Sequence, residues 1–309
     1  MIAIGIDGGG TRTRLMIRRD HGEPEFIVVD RSIKVRAKDY AASATALHGI
    51  LEEVLPGAVS EIRAIAIGLA GMGRDEDQMA LAEALRAVPE LAKIDFVIDS
   101  DANFTFKSVI GDQEAGMVLI LGTGSVCLMQ PRGGGLRRIG GWGPLLSDDG
   151  SGYRIGLTGL RYYINVLDYV EMRTAVTDAI EQALPERIRF DPLEIGRYCE
   201  AHPEFVSGLA RVILDVIEAN NEEKWILQEL LIELYLGLRN LMREDFMLCP
   251  PPWPLYLAGS VAHHVVMQQL LVPLFTEHGM EVLMIDPLAP CETALSIAAG
   301  LAGMAPLQA

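Results

Sequence analysis

The stretch IAIGIDGGGTRTRLMI, from Ile2 to Ile17, decides the fold of this chain. Apolar residues fill 2–6 and 15–17, and both segments have the length and composition of short strands. Between them, three consecutive glycines follow Asp7. Glycine adopts turn conformations without steric cost and lets backbone N–H groups come close to a ligand. The stretch therefore predicts a β-hairpin whose tip is suited to hold an anion.

Composition and charge exclude several classes of protein. The 309 residues are 50% hydrophobic and 22% charged, which indicates a globular chain long enough for two lobes. A net charge of −16 argues against a nucleic-acid partner. The four cysteines show no CxxC or Cys/His spacing, so we expect reduced thiols and no zinc. The chain starts in a strand pattern, and its most apolar C-terminal run, 294–307, is shorter than the roughly 20 residues of a membrane span. We expect no membrane partner and a cytoplasmic location.

The pattern of strand, glycine turn and strand occurs twice along the chain. The first half continues with a predicted strand at 26–30, a helix at 41–55, a strand at 62–69, a helix at 75–87 and a strand at 96–98. A strand at 117–121 then ends in GTGS, and a strand at 126–130 repeats the opening arrangement. The rest is more helical: we predict two helices in 153–184, one at 207–219, one at 221–245, a strand at 255–258 and a helix from 261.

Three glycine turns on separate strands point to phosphate binding. They are Gly8 to Gly10, Gly122 to Ser125 and Gly259-Ser260. The chain lacks the P-loop, the dinucleotide-binding, the serine-hydrolase and the zinc-protease signatures. Hydroxyl donors next to the first turn are Thr11 and Thr13. Asp7 has no cation beside it in the sequence and is suited to Mg²⁺, directly or through water. For one such turn alone, a tight turn without a ligand is the alternative.

These motifs resemble those of a known family. DGGGT at 7–11 and GTGS at 122–125 look like the two phosphate motifs of the actin and sugar-kinase superfamily, and AGSV at 258–261 looks like its adenosine motif. The segment GGWGPLLSDDGSGYRIG, 140–156, is similar to the GGWG…GDEGS signature of the N-acetylglucosamine kinases and their BadF-type ATPase relatives. The motifs cover nearly the whole chain in the family's order.

The resemblance implies an α/β fold with two actin-like (ribonuclease H-like) lobes. Each lobe would hold a mixed five-stranded sheet flanked by helices, with ATP and Mg²⁺ between the lobes. We place the lobes at 1–113 and 114–309, with a terminal helix at about 291–304 that is a candidate to pack back on the first lobe. The resemblance also implies a homodimer. The nucleotide-binding residues it implies are Asp7, Gly8, Gly9, Gly10, Thr11, Thr13, Gly122, Thr123, Gly124, Ser125, Gly259 and Ser260, with Asp7 also at Mg²⁺.

Asp101 is the predicted general base. It follows a short strand in the segment DSDANF and matches the family's catalytic aspartate, whereas the neighbouring Asp99 has no such match. Phosphoryl transfer needs a group that accepts the proton of the attacking hydroxyl. The alternative for either acid is a helix cap.

The predicted sugar-binding residues are Gly141, Trp142 and Asp148, together with Asp101. Ser147 and Asp149 depart from the family's usual Gly-Asp-Glu-Gly-Ser sequence, and core burial is the alternative for Trp142. The segment DRSIKVRAKDY, 30–40, lacks the asparagine that helps bind the sugar in N-acetylglucosamine kinases. The resemblance implies a small-molecule amino sugar as substrate, with N-acetylglucosamine or glucosamine as the first candidates. The missing asparagine leaves another hexose open.

Two other functions share these motifs. An ATP-driven activator of 2-hydroxyacyl-CoA dehydratases would need paired cysteine ligands for an iron–sulfur cluster, and no cysteine pair is evident. A non-catalytic sugar sensor would not need Asp101. The GGWG segment and Asp101 favour the kinase.

Overall fold

The computed structural model describes residues 1–9, 12–20, 22–35, 38–110, 115–131, 134–220, 227 and 253–305. These ranges leave out Gly10 and Thr11. They also leave out the helix predicted for 221–245, except for Leu227. The contacts divide the chain into two compact units, Met1–Asp112 with Asp286–Ala309, and Gln113–Ile285. The first unit thus includes the C-terminal segment, which the sequence-based boundary at 113/114 leaves in the second lobe.

The described chain contains strands and helices in both halves. The strands are β1 (Ile2–Gly8), β2 (Thr13–Arg19), β3 (Glu25–Val29), β4 (Ile62–Leu69), β5 (Asp95–Asp99), β6 (Gly116–Leu121), β7 (Ser125–Gln130), β8 (Arg137–Ile139), β9 (Trp253–Ala258) and β10 (Met280–Met284). The helices are α1 (Tyr40–Val54), α2 (Asp75–Arg86), α3 (Asp101–Val109), α4 (Gly152–Leu167), α5 (Ala175–Ala183), α6 (Pro192–Ala201), α7 (Pro203–Asn220), α8 (Val265–Thr276) and α9 (Ala289–Leu301). A 3₁₀ turn at Val59–Glu61 precedes β4.

The first unit is built on a five-stranded mixed sheet in the order β3-β2-β1-β4-β5. β1 lies antiparallel to β2 and parallel to β4, and β4 lies parallel to β5. The register pairs Asp7 with Gly68, and Gly68 with Asp99. The carboxyl ends of the three parallel strands therefore lie along one edge of the sheet, which is where α/β sheets bind ligands.

Helices cover the central strand β1 on both faces. Its isoleucines at positions 2, 4 and 6 belong to the core that α1 and α2 complete, and Ala3 belongs to the core that α9 completes. A Cβ at Gly5 would lie only 2.2 Å from the backbone N of Leu295, so the absence of a side chain lets α9 approach β1. The Cys291 thiol donates to the Gly5 carbonyl at 3.3 Å. β1 is consequently apolar along most of its length, as expected of a strand buried on both faces.

The second unit is built on another five-stranded mixed sheet, in the order β10-β9-β6-β7-β8. β6 lies antiparallel to β7 and parallel to β9, which repeats the central arrangement of the first sheet. Two helices meet closely over this sheet: a Cβ at Gly156 of α4 would lie 1.8 Å from the Val206 carbonyl oxygen of α7. The predicted fold class, with a mixed five-stranded sheet flanked by helices in each lobe, is confirmed.

Some elements were not predicted. β8, β10 and α6 have no counterpart in the sequence-based assignment. Within the ranges that the structure describes, none of the helices combines the length and the apolar character needed to cross a bilayer.

Candidate active site

The first glycine turn is held tightly at its base. A Cβ at Gly8 would lie 2.1 Å from the Leu69 side chain, and the Gly9 carbonyl accepts a hydrogen bond from the Ser32 hydroxyl at 2.9 Å. Thr13 is fully buried, and its hydroxyl donates to the Arg31 carbonyl at 2.6 Å. We predicted that the Thr13 hydroxyl donates a hydrogen bond to an anion. It instead donates to a carbonyl group within the protein. Thr13 fixes the segment 31–33 against the hairpin.

Asp7 stands at the end of β1 opposite Arg14 of β2. The Arg14 Nη1 atom lies 2.8 Å from Asp7 Oδ2, so a cation that the linear sequence did not place beside Asp7 is supplied across the hairpin. This pair is one that hairpin register could have revealed, since a turn centred between residues 8 and 13 sets 7 opposite 14. The other arginine of the tip, Arg12, pairs with Asp30 at 3.0 Å, and both side chains are exposed.

Asp101 is the first residue of α3, and Asp99 is the last residue of β5. The Ser100 hydroxyl caps the helix by accepting from the Asn103 N–H, so neither acid is needed as the cap. Asp101 is half-buried, and its carboxylate lies in the first turn of α3, where the helix dipole favours negative charge. A Cβ at Gly68 of β4 would lie 3.4 Å from the Asp101 Cα, so the glycine lets the start of α3 approach the sheet edge.

Asp99 is fully engaged inside the first unit. Its Oδ1 accepts from the Ser100 N–H at 2.7 Å and from the Asn103 amide at 2.6 Å, and its Oδ2 pairs with Lys107 Nζ at 2.8 Å. A carboxylate with these partners is suited to hold the start of α3. The Asp101 Oδ1 accepts from the Ala102 N–H at 2.8 Å.

The second glycine turn, at 122–125, connects β6 to β7 and contacts the start of α4. The Gly122 N–H donates to the Gly124 carbonyl at 2.9 Å. The carbonyls of Gly122 and Thr123 in turn accept from the N–H groups of Gly152 and Tyr153, at 2.8 and 3.1 Å. Two backbone hydrogen bonds therefore join this turn to the first residues of a 16-residue helix.

The third glycine turn packs on the base of the second. Gly259 has φ +94°, and a Cβ there would lie 2.3 Å from the Leu121 carbonyl oxygen. The same oxygen accepts from the N–H groups of Val261 and Ala262 at 3.0 and 3.2 Å. Within the second unit, the two predicted nucleotide motifs are thus joined through one carbonyl group.

The GGWG segment forms a loop with left-handed backbone. Gly140, Gly141 and Gly143 have φ of +69°, +71° and +96°. The Trp142 side chain is 61% exposed, which excludes core burial, and the Arg138 guanidinium lies over its ring at 5.1 Å from the centroid. The loop therefore presents an aromatic face at the surface of the second unit.

Asp148 does not lie at the surface of this loop. The residue is only 6% exposed, and a Cβ at Gly124 would lie 3.0 Å from its Oδ2. Burial raises the pKa of the Asp148 carboxyl above its ordinary value, while the backbone N–H groups of Ser125 and Gly143 and the Arg138 guanidinium act in the opposite direction. The predicted sugar-loop acid and the second glycine turn are thus in direct contact, which the sequence analysis did not anticipate.

A cluster of acids and a histidine lies elsewhere in the second unit. His264 Nε2 lies 3.1 Å from Asp215 Oδ1 and 3.7 Å from Glu218 Oε2. His264 Nδ1 accepts from the Val266 N–H at the start of α8, so in the neutral ring the proton is on Nε2, which donates to Asp215. This hydrogen bonding caps α8 and leaves Nε2 unsuited to ligate a metal.

A match to a known protein family covers most of the chain. A model of the BadF/BadG/BcrA/BcrD ATPase family matches residues 4–295. The chain belongs to this family. Membership establishes an ATPase framework and leaves the acceptor to other observations.

Curated relatives of the chain carry kinase names. An N-acetylmuramic acid/N-acetylglucosamine kinase from Clostridium acetobutylicum is 28% identical over 244 residues, 76% of this chain and 78% of the relative. An N-acetyl-D-glucosamine kinase from Dictyostelium discoideum is 30% identical over 207 residues, 59% of this chain and 60% of the relative.

A solved structure from Chromobacterium violaceum, provisionally described as an N-acetylglucosamine kinase, has the same fold. It matches with a TM-score of 0.73 at 24% identity and covers 95% of this chain and 97% of that one. At this identity the match establishes the architecture alone.

Proposed function

We propose that this chain is an ATP-dependent kinase that phosphorylates a hydroxyl of an amino sugar, N-acetylglucosamine or glucosamine, by in-line transfer. Family membership supports ATP as the nucleotide, and the relatives named as N-acetylglucosamine kinases support the acceptor class. The observation that carries the proposal is the carboxyl edge of the first sheet. There Asp7 and the glycine turn lie at the end of β1, Asp101 begins the helix that follows β5, and Asp99 is bound by Ser100, Asn103 and Lys107.

The glycine turns fit the phosphates of ATP. A Cβ at Gly122 would meet nothing within 4 Å, and Thr123 is exposed, so the backbone of the second turn is open to a ligand. The N–H groups that we assign to phosphate there are those of Thr123 and Gly124, because that of Gly122 donates to the Gly124 carbonyl. Gly8 and Gly9, with Gly10 and Thr11 of the same turn, would bind from the first unit. Gly259 and Ser260 would lie beside the adenosine.

Mg²⁺ fits the chemistry of Asp7. A carboxylate oxygen is the ligand type that Mg²⁺ prefers, and Mg²⁺ usually keeps several waters, so Asp7 would hold it through water. When bound, the ion would neutralise charge on the phosphates. Arg14 holds Asp7 Oδ2 and so fixes the direction of the carboxylate.

Asp101 would accept the proton of the attacking sugar hydroxyl. It begins α3 beside the carboxyl edge of the first sheet, and an acid at this edge can reach a bound substrate. Gly141 and Trp142 would line the sugar, with Asp148 behind them. The absence of asparagine from 30–40 leaves N-acetylglucosamine, glucosamine and another hexose for experiment to separate.

The cysteines give the activator alternative little support. Cys127 and Cys291 are buried in the cores of their units, and burial raises the pKa of each thiol to about 12. Cys199 is half-buried. Thiolates are the ligands of iron–sulfur clusters, so Cys127 and Cys291 are poorly suited to bind a cluster. Cys249 lies outside the described residues.

The test is ADP release from Mg·ATP, measured without sugar and with glucosamine, N-acetylglucosamine, N-acetylmannosamine and glucose. We expect one amino sugar to stimulate release. Asp101→Asn should lower kcat by about 10²- to 10⁴-fold, the usual contribution of a general base, and leave ATP binding nearly unchanged. Asp99→Asn is the matched control, because it keeps the size and the acceptor oxygen and should retain most of the activity.

Two results would overturn the proposal. Hydrolysis that no sugar stimulates, together with a brown cluster in anaerobically purified protein, would favour the activator. Sugar binding without any transfer would favour a sensor. A loss of less than fivefold in Asp101→Asn would remove Asp101 as the base. The homodimer stays a prediction that size-exclusion chromatography with light scattering can check.

A further inference from the structure

His48 of α1 has a ring nitrogen that is buried and unpaired. Its Nε2 atom is shielded from solvent and makes no hydrogen bond within the described residues. Glu52 Oε1 lies 3.7 Å from this nitrogen and Glu90 Oε2 lies 3.9 Å from it, and both distances are too long for a hydrogen bond. A buried polar atom without a partner costs free energy. A group bound between Nε2 and the two carboxylates would remove that cost.

Two packed elements of the first unit hold these three side chains. His48 and Glu52 are four residues apart on α1, so they lie on the same side of the helix. Glu90 belongs to the segment 88–94 that follows α2, and its neighbour Leu91 is fully buried in the core that α1 helps to form. The cluster thus joins two elements whose backbones are fixed by one core.

The charges around the cluster favour a cation. Glu52 lies in the last turn of α1, where the partial negative charge of the helix end disfavours an anion, and that turn contains no basic residue. Among the described residues, neither Glu52 nor Glu90 has an arginine or a lysine within ion-pair distance. Glu53, on the same turn, is paired with Arg31. The two carboxylates beside His48 therefore lack the compensation that their neighbour has.

The tautomer of His48 is compatible with metal binding. In His264, by contrast, the Val266 N–H donates to Nδ1, which keeps the ring proton on Nε2. No described group donates to the His48 ring in this way, so its proton can stay on Nδ1 and leave the Nε2 lone pair available. One imidazole nitrogen and two carboxylate oxygens form a ligand set that suits Zn²⁺. The cysteine spacing that argues against zinc does not bear on this set, which contains no thiol.

We propose that His48, Glu52 and Glu90 bind a divalent transition-metal ion, Zn²⁺ in particular, which ties α1 to the segment 88–94. Tetrahedral Zn²⁺ with bonds of about 2.0–2.2 Å separates its ligand atoms by about 3.3–3.5 Å. The observed 3.7 and 3.9 Å are close to that separation, and both glutamates are about half exposed, so small side-chain rotations close the difference. None of the three residues is assigned to the nucleotide or the sugar, so the site is independent of the proposed function.

The test is a calorimetric titration of the full chain with ZnCl₂, in excess Mg²⁺ so that oxygen-only sites are filled. His48→Gln, Glu52→Gln and Glu90→Gln each remove one ligand. Each should weaken Zn²⁺ binding by more than the roughly 10- to 100-fold that loss of an outer-shell partner costs. Glu53→Gln is the matched control on the same turn of α1, and His264→Gln controls for the other cluster of a histidine with acids. Both controls should keep the wild-type dissociation constant.

Zn²⁺ should also stabilise the first unit. At 100 times its dissociation constant, the ion should raise the melting temperature of the wild type by about 5–10 °C, and the three cluster variants should lose this rise. Hydrogen–deuterium exchange should slow in the peptides that cover 40–54 and 88–94.

Three outcomes would overturn the proposal. They are an equal Zn²⁺ affinity in the wild type and all three cluster variants, an affinity that falls only in His264→Gln, and exchange that slows only in the second unit. Glu52 and Glu90 are exposed, so their substitution should leave the fold intact and keeps the test decisive if His48→Gln does not fold. Neither sugar nor ATP enters the titration, so failure of the proposed function would not change its result.

Discussion

Replacing Gly259 by alanine tests whether the third glycine turn positions the second. The new Cβ would lie 2.3 Å from the Leu121 carbonyl oxygen and 2.6 Å from its carbon, about 1 Å short of ordinary contact. Both contacts are with backbone, which cannot turn aside as a side chain does. The alanine would also keep φ near +94°, a strain that costs about 1–3 kcal/mol, and overpacking adds about 1–3 kcal/mol.

Gly71→Ala is the matched control for the strain. Gly71 has φ +91°, and a Cβ there would meet nothing within 4 Å, so its substitution carries the backbone cost without the overlap. Calorimetry should show the larger fall in melting temperature for Gly259→Ala, by about 2–4 °C for each extra kcal/mol. Because a misplacement of about 1 Å can cost ~10²-fold in rate, kcat/KM for ATP should fall by that order in Gly259→Ala and little in Gly71→Ala.

An equal loss of stability in Gly259→Ala and Gly71→Ala, with the same kcat/KM for ATP in both, would contradict this prediction. That result would mean that the Leu121 carbonyl moves away at no cost to the phosphate turn. The contact would then be incidental to nucleotide binding.

Two further predictions follow from burial and packing. Iodoacetamide at pH 8 should modify Cys127 and Cys291 in the native protein roughly 10³-fold more slowly than a free thiol, because a pKa of about 12 leaves little thiolate. Mass spectrometry measures the rate, and rapid modification of either cysteine would contradict its buried state. In urea titrations, Gly156→Ala should destabilise the second unit by about 1–3 kcal/mol, because its methyl group overlaps an α7 carbonyl. Gly208 lies at an exposed helix position with open space around it, so Gly208→Ala should stabilise the unit by about 0.5–1 kcal/mol. Equal effects of the two substitutions would contradict the predicted overlap.

Local pattern was sufficient for much of the fold. The hairpin around the first glycines, the strand at 62–69 and the GTGS turn were all predicted, because strongly apolar runs bounded by glycine leave few alternatives. β8 was missed because its two arginines carry no apolar alternation, and β10 because Met280–Met284 is largely exposed and lacks a clear period.

The site was less accessible to sequence reasoning. Motif order pointed to the glycine turns and to Asp101, but the contact of Asp148 with Gly124 joins residues that are distant in sequence. It depends on how α4 starts against the turn, which no local pattern encodes. The bond from Thr13 to Arg31 is of the same kind, since a buried hydroxyl is assigned to a partner only once its neighbours are known.

The position of α9 bears on how the protein is made. The first unit contains both the hairpin and a helix that is synthesised much later, and the second unit lies between them in sequence. At about 5–20 residues per second, the ribosome needs on the order of 10 s or more to pass from the end of the first sheet to α9. During that time the alanine and glycine face of β1 has no helix to cover it. The second sheet can meanwhile complete its own core, so the first unit becomes complete only after the second.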